Sequence, residues 1–129
     1  MTTGFRQLVA EAEREVETLA PGAARALLGR DDVVFVDVRD VREIQREGRL
    51  PGSFHCPRGM LEFWIDPESP YASEVFARDA RFVFYCNLGW RSALAAQTAA
   101  RMGLARVGHM GGGFTAWCEA GYPVEPAGR

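Results

Sequence analysis

Apolar residues at Phe5, Leu8, Val9, Ala12 and Val16 recur every three or four positions, with Arg6, Glu11, Glu13, Arg14 and Glu15 between them. That spacing predicts an amphipathic first helix with one face to cover. Residues 15–20 either prolong it or form a short edge strand. Pro21 suits the first turn of a second helix, Pro21 to Leu28, and Gly29 suits its end. The pattern then changes from periodic to continuous. Val33-Val34-Phe35-Val36-Asp37-Val38 reads as a strand buried on both faces, hence parallel to its neighbours. Asp40 is placed to cap a helix over Val41 to Glu47 that Gly48 closes. Pro51-Gly52 marks a turn, Ser53 to Cys56 a short strand stopped by Pro57, and Met60 to Ile65 and Ser73 to Arg78 two short helices. Arg81 to Tyr85 is another buried strand, followed by a run of strong helix formers from Ser92 to Ala100 that Gly103 closes. Ala105 to Met110 predicts the last strand, Gly111-Gly112-Gly113 a flexible turn, and Phe114 to Ala120 the last helix, with Gly121 beyond it.

Strands alternating with helices predict an α/β fold: a mostly parallel five-stranded sheet with helices on both faces, joined by right-handed crossovers. Ligands in such folds bind beyond the carboxyl ends of the strands. Asp37 and Cys86 each close a strand, so both are expected to line that crevice.

Composition narrows the function classes. A chain of 129 residues, 47% apolar and 25% charged, is one soluble globular domain. The net charge of -2, without a basic stripe, argues against nucleic acid as a partner. The apolar runs are too short to cross a bilayer, and the first residues do not read as a signal peptide. Three widely spaced cysteines without a CxxC pair predict neither a disulfide framework nor a zinc site, and suit a reducing cytoplasm. With two histidines and no thiol pair, no metal is expected. Gly111-Gly112-Gly113 lacks the following residues of a phosphate loop, and no cofactor is expected either.

The segment Cys86-Asn87-Leu88-Gly89-Trp90-Arg91 carries the candidate chemistry. It joins a strand to a helix, so the Cys86 sulfur faces the free amides of a helix N-terminus. Their partial positive charge favours thiolate over thiol and would hold a small oxyanion. Gly89 allows a tight loop. Arg91 would fix either the loop or a bound anion through its forked donors.

These residues fall into an ordered set of motifs that resembles the rhodanese-like sulfurtransferase family. Val36-Asp37-Val38-Arg39, then Glu43, is similar to the family's first signature. Gly48-Arg49-Leu50-Pro51-Gly52-Ser53 resembles its glycine-proline-glycine segment, with Arg49 where histidine is usual. Cys86 to Ser92 fits the active-loop pattern CxxGxRS. Gly112-Gly113-Phe114-Thr115-Ala116-Trp117, then Gly121-Tyr122-Pro123-Val124, resembles the closing signature. The resemblance runs from about Leu19 to Val124. It divides the chain into an N-terminal helical extension, residues 1–17, and a rhodanese-like domain, residues 18–129.

The resemblance implies a sulfurtransferase. The Cys86 thiolate would take the outer sulfur of thiosulfate or another persulfide donor, and pass it to cyanide, a thiol or an acceptor protein. Amides from Asn87, Leu88, Gly89, Trp90, Arg91 and Ser92 would cradle the charged persulfide. In the best-studied oxyanion sites each such donor is worth on the order of 3 kcal/mol. Two other readings stay open: a non-catalytic sulfur carrier or partner-binding module using the first helix and Trp90, and a cysteine phosphatase. Four residues separate Cys86 from Arg91, one fewer than in the phosphatase loop, which must ring a tetrahedral phosphate. The short loop argues against the phosphatase.

Outside the loop, Asp37 is expected to orient its neighbours by hydrogen bonds, and Arg39 to pair with Glu43 near the strand end. Cys56 reads as a packed small hydrophobe and His55 as a hydrogen-bonded ring, Cys118 as core, and His109 as a surface or capping residue. Trp90 is expected to be partly exposed, either shaping access to Cys86 and contacting an acceptor, or folded back on the adjacent helix. Met60, Phe63 and Trp64 could wall the pocket, although packing explains them equally. Arg58 could help attract a dianion, but a solvated arginine is the simpler reading.

Overall fold

Five parallel strands run in the spatial order β1-β5-β4-β2-β3 in the computed structural model, which describes residues 1–128. They are β1 (Glu17–Leu19), β2 (Val33–Asp37), β3 (Phe54–His55), β4 (Arg81–Tyr85) and β5 (Val107–Met110). The helices are α1 (Phe5–Glu15), α2 (Pro21–Leu27), α3 (Val41–Glu47), α4 (Leu61–Ile65), α5 (Trp90–Met102) and α6 (Gly113–Glu119), with 3-10 turns at Arg58–Met60 and Glu74–Ala77. The undecided stretch after α1 is therefore an edge strand, paired with β5 from Glu17 opposite Gly108 to Leu19 opposite Met110.

The continuous apolar strands are buried on both faces, as their composition requires. Alternate residues of β2 and β4 serve two cores. Val34, Val36, Phe82 and Phe84 pack with Ala95, Ala96 and Ala99 of α5 and with α4. Phe35, Val83 and Tyr85 pack with α2 and with Phe114 and Trp117 of α6. A smaller cluster, Val9, Ala12 and Ala93, fixes α1 on α5. Glu15 extends that seam by accepting from the Gln97 side-chain amide and pairing with Arg101.

Two helix starts set the geometry of the site. Asp40 and Glu43 form a reciprocal capping box at the start of α3, which places the Glu43 carboxylate at the carboxyl edge of the sheet. Gly113, at φ +63°, begins α6 so close to the Cys86–Arg91 loop that a Cβ there would stand 2.5 Å from the Asn87 and Cys86 carbonyls. The glycine run expected to be a flexible turn is thus a tightly packed strut. The Phe114 and Thr115 amides donate to the Cys86 and Asn87 carbonyls at 2.7 and 3.1 Å.

Candidate active site

Cys86 follows the last residue of the central strand β4 and lies against the N-terminus of α5. Its sulfur accepts from the Gly89 and Ser92 amides at 3.3 and 3.4 Å. Gly89 is left-handed, at φ +90°, which turns its own amide toward the sulfur. The side chain is 1% exposed, at the bottom of its loop.

Arg91 holds the loop from outside. Its guanidinium makes a forked pair with Glu43, at 2.8 and 2.9 Å. Glu43 also accepts from the Asn87 side-chain amide at 2.9 Å. The Arg91 hydrogen bond is the main reason that the Glu43 carboxyl sits well below its ordinary value of 4.5, at about 2. Arg91 is raised in turn, first by Glu43, with Cys86 adding in the same direction. This pair locks the loop to α3 while keeping a cation beside the sulfur.

The expected Arg39–Glu43 pair does not form. Arg39 is fully buried, and its guanidinium turns to Asp37, at 2.7 Å between Nη2 and Oδ2 and 3.0 Å from Nε to Oδ1. A buried cation requires the nearest equally buried carboxylate, and Asp37 at the end of β2 is that group. Arg39 also donates to the Gly48 carbonyl at 2.7 Å and to Asn87 Oδ1 at 3.2 Å, and stacks over Phe114 at 4.3 Å. Asp37 thus orients the loop indirectly, through Arg39 and then Asn87, and Glu43 is left for Arg91.

His109 and Cys118 also depart from expectation. His109 is fully buried on β5, because β1 and α1 cover that edge of the sheet. Its ring lies 3.0 Å from Ser92 Oγ, 3.2 Å from Thr18 Oγ1 and 3.1 Å from Glu13 Oε2. Nothing in its local sequence announces this, since Glu13 is 96 positions away. Cys118 is exposed, on the outer face of α6 beside the buried Trp117. Cys56 is a packed hydrophobe as expected, and burial pushes its thiol up to about 12. His55 Nε2 lies 2.7 Å from the Arg39 carbonyl. Arg58 is not simply solvated but pairs with Glu62 one turn on.

Trp90 is 41% exposed. Its ring meets Phe5 of α1 at 4.8 Å between centroids, and the Arg6 guanidinium stands 5.5 Å from it. Its partner is therefore the first helix. A cleft of about 250 Å³ lies between α1 and the loop, walled by Phe5, Glu13, Leu88 and Trp90. A larger cavity of about 620 Å³, bounded by Ile65, Phe76 and Leu104, does not reach Cys86. Met60, Phe63 and Trp64 wall neither space. Among the described residues no cluster of three or more histidines, cysteines or carboxylates gathers to hold a metal, and no helix is long and apolar enough to cross a membrane.

The rhodanese-like domain family model matches residues 20–120, which include every group in the loop. This chain belongs to the rhodanese-like family. A mouse relative, thiosulfate sulfurtransferase/rhodanese-like domain-containing protein 3, is 31% identical over 98 residues, or 72% of this chain. The chain spans 62% of that protein's length, and 55% of the length of a Synechocystis relative. The thiosulfate sulfurtransferase GlpE of Pseudoalteromonas translucida is 34% identical over 97 residues, covering 74% of this chain and 82% of that protein. The family thus supports sulfurtransferase chemistry in general. Among solved structures, a Rhodopseudomonas palustris protein of unknown function, described as a possible tyrosine phosphatase, superposes with a TM-score of 0.94. It is 57% identical, with 97% of this chain and 96% of that one covered.

The Glu43–Arg91 lock has a measurable acid dependence. Glu43 is more acidic folded than unfolded, so its contribution is complete above about pH 4.5 and is lost as pH falls toward about 2. Denaturant titrations between those limits should show wild type losing more stability than Glu43→Gln. Parallel curves would mean that the pair contributes nothing.

Proposed function

We propose that the protein is a sulfurtransferase in which Cys86 carries sulfane sulfur as a covalent persulfide. The observation that supports this best is the convergence of the Gly89 and Ser92 amides on Cys86 Sγ, with the Arg91 cation adjacent. In the first half-reaction the Cys86 thiolate attacks the outer sulfur of thiosulfate. The new S–S bond forms as the old one breaks, and sulfite leaves with the bonding pair. In the second, an acceptor nucleophile (cyanide, a thiol or a protein cysteine) attacks the terminal sulfur and returns the Cys86 thiolate. The loop amides favour both charged states without reorganising. Asn87 and Ser92 shape the loop, and Asp37 and Arg39 brace it from below. Leu88 and Trp90 form its outer rim. A reducing compartment such as the cytoplasm would keep the thiol free.

Residues 1–17 act in this reading as an added helical extension, and residues 18–129 as the catalytic domain. The exposed Phe5, Leu8, Leu88 and Trp90 favour a second reading, a sulfur-carrying or docking module that uses this rim to bind an acceptor protein. The name of the Rhodopseudomonas protein raises phosphatase activity, but the short loop closes its amides around one sulfur atom.

Incubation with thiosulfate, intact-mass measurement and then addition of cyanide separates these readings. A gain of one sulfur atom, lost as thiocyanate on cyanide addition, is expected. Folded protein that never gains sulfur would overturn the enzyme in favour of the docking module, and sulfur gained but not released as thiocyanate would favour the carrier. Turnover of an aryl phosphate without sulfur uptake would favour the phosphatase.

A further inference from the structure

Cys86 is almost fully covered, so bulk water is poorly placed to accept its proton. The side chains beyond it form an unbroken line. Cys86 Sγ lies 3.6 Å from Ser92 Oγ, which lies 3.0 Å from His109 Nδ1. His109 Nε2 lies 3.1 Å from Glu13 Oε2. Cys86, Ser92 and His109 are buried, whereas the Glu13 side chain is 39% exposed at the wall of the cleft under α1. The line crosses from β4 through α5 and β5 to the first helix, outside the residues that match the family.

The hydrogen bonds have a consistent direction. A carboxylate only accepts, so Glu13 selects the His109 tautomer with its proton on Nε2. Nδ1 then accepts from the Ser92 hydroxyl, whose oxygen accepts from the Cys86 thiol. We propose that Ser92, His109 and Glu13 form a proton relay that generates the Cys86 thiolate, and that α1 thereby supplies a positioning carboxylate to the active site. The S–H bond breaks as a proton joins Ser92 Oγ. The original Ser92 proton passes to His109 Nδ1. Thiolate and imidazolium result, with no net gain or loss of protons. The Ser92 hydroxyl now donates to the thiolate, and the imidazolium donates to Ser92 and Glu13.

Glu13 is the charged group that faces the ring from α1. β1 contributes the Thr18 hydroxyl, which shares Nε2 with Glu13 and accepts there, and α5 contributes Ser92, which links the ring to Cys86. The other charged pair near the sulfur, Arg91 with Glu43, is engaged with itself. Burial holds the His109 basicity below that of a free imidazole and the Glu13 carboxylate offsets this only in part, so the ring gains its second proton when the Cys86 thiolate forms beyond Ser92.

The inference rests on Cys86 as the reactive thiol, and the decisive measurement reads that thiol directly. The rate of Cys86 alkylation by iodoacetamide is followed against pH by peptide mass, in parallel with sulfur transfer from thiosulfate to cyanide. Glu13→Gln keeps the size and hydrogen bonding of the side chain but removes its charge. It should move the alkylation midpoint up by about one pH unit, a roughly tenfold slower reaction below the midpoint, with the high-pH plateau unchanged. Ser92→Ala should also raise the midpoint, and adding Glu13→Gln to it should raise it no further. An unmoved midpoint in Glu13→Gln, or additive shifts in the double variant, would overturn the relay. Nitrogen NMR covers the case in which a variant does not fold. His109 should keep its second ring proton to a higher pH in wild type than in Cys86→Ser, because the thiolate beyond Ser92 favours the imidazolium; the same ring titration in both proteins would also overturn it. Shifted alkylation without sulfur transfer would leave the relay standing and remove the sulfurtransferase.

Discussion

Cys86→Ser should abolish sulfur transfer while leaving the fold intact. Removing a covalent nucleophile costs roughly 10⁴-fold or more in turnover, because the amides and the cation then have no charged intermediate to hold. Stability should change by less than about 1 kcal/mol, since a serine oxygen can accept the Gly89 and Ser92 amides in place of sulfur. The checks are thiocyanate production and a denaturant titration on the same preparation. Turnover above a few per cent of wild type would transfer the role to another cysteine. Cys118 would then be the candidate, because it is exposed whereas burial holds the Cys56 thiol at about 12.

Asp37→Ala should produce the largest loss of stability. Arg39 is fully buried, and Asp37 is the carboxylate that holds it through Nε and Nη2. Without Asp37 a buried guanidinium is left poorly compensated, an effect that typically costs about 3–5 kcal/mol. Glu47 at 3.7 Å is partly exposed and offers only weak relief. The damage should extend to the loop, because Arg39 also holds Asn87 Oδ1. Equilibrium denaturation measures the first effect and thiocyanate turnover the second. A loss below about 1 kcal/mol would show that water or Glu47 takes over the charge.

The architecture was largely legible in local pattern. The continuous apolar runs ending at Asp37 and Tyr85 became neighbouring parallel strands, and Asp40, Gly48, Gly89 and Gly103 fell at the helix ends where cap chemistry needs them. The CxxGxRS segment placed Cys86 against a helix N-terminus because strand, loop and helix are contiguous in the chain. Residues 15–20 were ambiguous for a physical reason. A three-residue edge strand has too few positions to show a period of two, and β1 is defined by its pairing with β5.

Charge partners were harder to read. Arg39 lies four residues before Glu43 and invites a local pair, yet desolvation sends it back to Asp37 and the capping box turns Glu43 toward Arg91. His109 looked like a surface residue because the groups around it, Glu13, Thr18 and Ser92, lie far away in sequence. Cys118 follows the buried Trp117 but points the other way, since successive positions on a helix face different directions.

Short-range chemistry therefore specified the elements, their caps and the Cys86–Arg91 loop, because each depends on residues within a few positions of one another. Folding alone decided which carboxylate meets which cation, and that the first helix reaches Cys86 through Ser92 and His109. Those choices depend on burial, which makes an unpaired charge costly, and burial is a property of packed layers rather than of neighbouring residues.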